Sequence, residues 1–203
     1  MTKFNKIATG ICAVLMLASA GQSAAETVTS TASAVVQNAF VLAEISALDF
    51  GTFRAKNDVA ATVEVATLVR PADAALSSST TNGATGLAAI QSLIEGAPGE
   101  YSISGVAGFA TLTLTLPLTS VVTLTAAGNP AGVATFAVEN FTARKTSGTA
   151  GAITLATSVG TFQVDANGDA TFAVGASLNT VPTTTTTYSD VPYSGDYIVL
   201  VEY

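Results

Sequence analysis

The chain has no histidine, no tryptophan and a single cysteine, Cys12. Without imidazoles or paired thiols, the usual nucleophilic triads and zinc-ligand sets are excluded. A lone cysteine closes no intrachain disulfide, so stability must come from an apolar core and a strand ladder. Charge is also scarce. Charged residues make up 10% of the sequence, against about 25% in ordinary globular domains. Seven bases face 14 acids. A chain this poor in bases lacks the electrostatic footprint for nucleic acid or anionic lipid. The apolar run at residues 7–17 is shorter than the ~20 residues a membrane helix needs.

The first six residues carry Lys3 and Lys6 and no acid, the apolar run follows, and two small-residue sites come next, Ala18-Ser19-Ala20 and Ser23-Ala24-Ala25. That three-part layout predicts a secretory signal peptide over residues 1–25, cleaved after Ala25. Cys12 follows Ile11, within the apolar run and not at the cleavage point, so no lipidation is expected. The remainder is long enough for one domain with its own core: an N-terminal strand within residues 26–44 and a β-sandwich over 45–203. It is acidic, with Arg54, Lys56, Arg70, Arg144 and Lys145 as its bases. Ala, Thr, Val, Ser and Gly take the place of charge. Such a skin suits a subunit that buries much of its surface against neighbours.

The dominant hydrophobic period is two, the mark of half-buried strands. Residues 27–36 put Val28, Ala32, Ala34 and Val36 on one face and Thr27, Thr29, Thr31 and Ser33 on the other. Leu112, Leu114 and Leu116 alternate with Thr111, Thr113 and Thr115 until Pro117 stops the run. Residues 121–125, 132–141 and 197–203 read as further strands. Residues 87–95 fit a short helix or a strand equally well. The Asn167-Gly168 pair predicts a type I′ hairpin joining 161–164 to 170–174. Residues 77–86 read as a loop, and the threonine tract 183–187 as an extended edge or a loop. Many short strands without a βαβ rhythm predict an antiparallel sandwich.

Four motifs add a resemblance. They are Leu48-Asp49-Phe50-Gly51-Thr52; residues 100–105 (EYSISG) followed by Leu114-Thr115-Leu116-Pro117; residues 170–178 (ATFAVGASL); and the closing Y-x-G-x-Y-x-V-x-V-x-Y of residues 193–203. Together they resemble a family of small exported bacterial β-proteins known as a domain of unknown function, similar in style to spore-coat-U proteins and chaperone–usher pilins. The resemblance spans about residues 30–203. It implies an Ig-like or pilin-like sandwich and the role of a structural subunit in a surface fibre or coat, and it brings no catalytic residues. Many chaperone–usher pilins carry a disulfide, and here this chain departs from them.

The expected function is therefore assembly by β-strand addition. Val28, Ala32, Ala34 and Val36 would form the donor face. Tyr197, Val199, Val201 and Tyr203 would form the groove or chaperone edge. The expected partners are copies of the chain or related subunits, with a periplasmic chaperone and an outer-membrane usher, on a route from periplasm to cell surface. The competing reading of residues 27–36 is a first strand in the chain's own sheet. One alternative function is a monomeric secreted binding module or adhesin. Another is a small outer-membrane barrel, against which the short strands and the lack of tryptophan for aromatic girdles both count. No enzyme activity and no cofactor is expected. Asp165, Asn167 and Asp169 are a weak calcium candidate, because the closing glutamate of a full calcium loop is missing.

Overall fold

The computed structural model describes Ser33 and residues 39–60, 63–118, 122–128, 130–183 and 186–203. The chain divides into two compact units, Met1–Val35 and Val36–Tyr203, and the architecture below is that of the second. The donor candidates Val28, Ala32, Ala34 and Val36 lie outside the described residues.

Among the described residues there are fourteen strands: β1 (Val41–Ser46), β2 (Asp49–Lys56), β3 (Thr67–Arg70), β4 (Ser79–Thr81), β5 (Ala89–Ala97), β6 (Gly99–Ser104), β7 (Thr111–Thr115), β8 (Val122–Ala126), β9 (Phe136–Lys145), β10 (Gly151–Ile153), β11 (Val159–Gln163), β12 (Ala170–Thr180), β13 (Tyr193–Ser194) and β14 (Leu200–Glu202). Their ladders are antiparallel. The large sheet runs β1-β6-β12-β9-β8-β13, with β10 on β9 and the β3–β4 pair on β12; a second sheet runs β11-β7-β14; β2 pairs with β5. The fold is an all-β antiparallel sandwich. No helix among the described residues is long and apolar enough to cross a membrane.

Local sequence explains the core. Alternation on β7 buries Leu112 and Leu114 completely and leaves Leu116 3% exposed, so one face of that strand is entirely internal. β12 is different: it is buried over almost its whole length, Ser177, Asn179 and Thr180 included. It sits at the centre of the large sheet, bonded to β6, β9 and β3, and a strand covered on every side needs no polar face. Its Phe172 stacks on Tyr101 at 5.2 Å and meets Phe162 of β11 at 5.6 Å. The two sheets are joined through these rings. Residues 87–95, ambiguous in sequence, contribute to strand β5.

The L-D-F-G-T motif has a structural explanation. Asp49 Oδ1 accepts the Gly51 N–H at 2.7 Å, and Gly51 is left-handed at φ 79°. A Cβ there would overlap the Ile94 carbonyl oxygen, and one on Gly96 would overlap that of Asp49. Two glycines thus let β2 and β5 run unusually close, with a bulge at Thr52/Phe53.

Three expectations are corrected. The turn at residues 165–169 does not close a hairpin: β11 pairs with β7, and β12 pairs with β6, β9 and β3. The turn carries the chain from one sheet to the other. It is not type I′ either, since Gly168 has positive φ (83°) and Asn167 does not. Second, residues 197–203 do not form one strand. The stretch from Tyr193 to Glu202 pairs first with β8 as β13, then with β7 as β14, and is unpaired between. In addition, residues 77–86, read as a loop, contain the short strand β4.

Candidate functional site

β2 bonds to β5 along one edge, and β13 to β8 along one edge. Between the two free edges lies a groove of about 1070 Å³. Residues 47–55 form one wall without a break, and residues 188–195 with Tyr197 form the other. A strand that lines a groove with consecutive residues presents its edge to it, because its side chains alternate between faces. The floor is apolar. β8 gives Val122 and Leu124, and β9 gives Phe136 and Val138, every second residue of two paired strands. The walls run antiparallel: Leu48 and Tyr197 both approach Gly99, while Phe53 and Tyr193 both meet Phe136. The groove has the form of a sheet position without its strand.

Aromatic rings set its depth. Phe136 is 1% exposed. It stacks on Tyr188 at 4.1 Å and takes the edges of Tyr193 and Phe53 at 5.0 Å and 5.3 Å. The tyrosine hydroxyls are engaged by the protein itself. Tyr188 accepts from the Val181 N–H at 3.2 Å and donates to the Thr135 carbonyl at 3.3 Å, and Tyr193 accepts from Ser189 N–H at 3.0 Å. Tyr197 and Tyr101 share a hydroxyl–hydroxyl bond of 2.6 Å. Burial pushes the Tyr188 phenol up to about 12. Burial, then the bond to Tyr101, raises Tyr197 further, and burial raises Tyr101. Tyr188 and Tyr197 are therefore neutral at physiological pH, and their rings line the groove as apolar surface. Formal charge is confined to Asp49, Arg54 and Asp190.

The four residues assigned to the groove or chaperone edge divide. Tyr197 lines the groove and packs on Phe141 at 5.2 Å. Val199 packs against the core, and Val201 belongs to it at 7% exposure. Their neighbours Ile198, Leu200 and Glu202 face out, so the period-two alternation is present although only Leu200–Glu202 is paired. Tyr203 is half exposed, meets Phe40 edge-on at 5.8 Å and accepts the Ala107 N–H at 3.2 Å. Among the described residues β14 pairs with β7 alone. The wall from residues 47–55 and the floor were not identified from sequence. The one available signal was the Leu48–Thr52 motif.

Asp165 spends its carboxylate on the turn. Oδ1 accepts the N–H groups of Asn167 at 2.8 Å and Asp169 at 2.9 Å. The Asp169 bond is the main reason its carboxyl is held below the usual range. Among the described residues no three His, Cys, Asp or Glu side chains are grouped to hold a metal. The chain matches no family model, no curated protein and no solved structure.

Proposed function

We propose that this chain is a structural subunit of a bacterial surface fibre or coat, exported behind residues 1–25 and assembled by β-strand addition. The observation that carries the reading is the groove: the edge of β2 and the stretch 188–195 face each other across an apolar floor, with no strand between them among the described residues. An incoming strand would bond to both walls and seat alternate side chains below. Val28, Ala32, Ala34 and Val36 are an alternating apolar set of small residues, suited to a floor already filled by rings. A periplasmic chaperone would cover the same edges until a subunit replaced it, and an outer-membrane usher would pass the product to the surface.

A ligand cleft in a monomeric binding module is the second reading, favoured by the rings of Tyr188 and Tyr193 in one wall.

Hydrogen exchange tests the proposal. On assembly, those amides of residues 49–55 and 188–195 that are not already bonded within the subunit should slow together. Walls that exchange as fast in the polymer as in the monomer would refute strand addition at this groove.

A further inference from the structure

Two charged residues are buried among the described residues, Arg70 and Asp58. Arg70 is paired with Glu95. Asp58 is 0% exposed and belongs to neither ion pair of the described residues. Its Oδ1 accepts the Ala60 N–H at 2.9 Å, and its Oδ2 has no hydrogen-bond partner. A buried carboxylate is costly unless an opposite charge or a metal ion meets it.

The polar groups beside it are mostly oxygens, and they come from the threonine tract. The Asp58 carbonyl accepts the Thr183 N–H at 3.1 Å. Its neighbour Asn57, itself 2% exposed, donates from Nδ2 to the Thr186 carbonyl at 2.7 Å and lies 3.5 Å from that of Thr183. The Thr186 and Thr183 hydroxyls bond to each other at 3.1 Å. The tract is anchored further along, where the Ala134 N–H donates to the Thr187 carbonyl at 3.0 Å. A carbonyl oxygen has two lone pairs, so those of Thr183 and Thr186 each keep one after Asn57 is served. The tract thus brings two carbonyls and two hydroxyls to the strand end that carries an uncompensated carboxylate.

The geometry points to a divalent cation site at Asp58, of the kind calcium takes. The Asp58 carboxylate supplies the charge, and Thr183 and Thr186 supply neutral oxygens. Calcium accepts roughly six to eight oxygens in flexible geometry, backbone carbonyls among them, whereas magnesium demands a strict octahedron and holds its waters. The set offers no imidazole or thiolate for zinc. A site with one carboxylate is weak, in the range of about 10⁻⁴–10⁻³ M that extracellular calcium modules use. The ion ties the end of β2 to the segment leading into residues 188–195. None of Asn57, Asp58, Thr183 and Thr186 lines the groove, so the site stands whether or not a strand enters there.

Thermal unfolding of the exported chain tests it. About 10 mM CaCl2 should raise the melting temperature by roughly 3–5 °C over NaCl of equal ionic strength, and MgCl2 should do less. Asp58→Asn keeps the size of the side chain and removes its charge, and it should abolish the calcium shift. A second measurement needs no variant: in the unaltered chain, the amides of Ala60 and Thr183, both bonded to Asp58, should exchange more slowly when calcium is added. No calcium shift, a shift that NaCl or MgCl2 matches, a shift that Asp58→Asn retains, or Ala60 and Thr183 amides indifferent to calcium would each overturn the inference.

Discussion

Removing residues 26–36 should leave a folded chain that no longer polymerises. The core cluster among the described residues is drawn from residues 40–201, all of which the deletion keeps. Assembly loses everything the donor supplies. Burying Val28 and Val36 contributes about 1.5–3 kcal/mol each, and the alanines less. Association costs roughly 4–15 kcal/mol in lost translation and rotation, so side chains alone do not hold the polymer. A ten-residue strand paired on both edges adds on the order of ten backbone hydrogen bonds, each worth about 1 kcal/mol net. Without the donor both contributions vanish, and the change should be from polymer to monomer in analytical ultracentrifugation. A synthetic peptide with the sequence of residues 27–36 should bind the truncated chain. Filaments formed by the truncated chain would contradict the proposal.

Replacing Phe136 with alanine should lower the unfolding free energy by about 3–5 kcal/mol, the range for deleting a fully buried aromatic. The ring is the shared neighbour of Phe53, Tyr188 and Tyr193, and each well-placed aromatic pair adds roughly 0.5–1.5 kcal/mol beyond area burial. The same substitution removes the aromatic part of the groove floor and frees Tyr188 and Tyr193 to turn inward. Donor binding should therefore fall along with stability. Phe136→Leu keeps most of the volume and should cost less, about 1.5 kcal/mol or below. Urea unfolding of both variants decides the matter. A loss under about 1 kcal/mol for the alanine variant would mean that the rings do not form the packed floor described.

What could be read in the sequence was local. The Leu112, Leu114 and Leu116 alternation required one buried face, and the structure buries all three. Val199 and Val201, read from the sequence as part of a groove or chaperone edge, pack against the core. The turn at Asp165 was visible as a turn, because Asn-Gly and two flanking aspartates leave little else. Its role was not visible, since whether β11 and β12 pair with each other or with separate sheets depends on contacts dozens of residues away. Residues 87–95 stayed ambiguous because a short apolar run fits both periods; their pairing with β2 settled them as a strand. The groove was hidden for a related reason. It exists because two edges, β2 and the 188–197 stretch, have no strand partner on their inner sides among the described residues, and a missing partner leaves no pattern in a sequence. The strict need for glycine at 51 and 96 arises from a close crossing of two strands, and so it appeared only as a motif without a cause.

The central claim is that the groove between β2 and residues 188–197 is completed by a strand from another copy. A density map of the assembled protein by electron cryomicroscopy tests it most directly. The account predicts an additional strand bonded to both walls, with Val28, Ala32, Ala34 and Val36 of a neighbouring subunit over Val122, Leu124, Phe136 and Val138. A map showing subunits joined while this groove stands empty, or filled by the same molecule's own chain, would contradict it.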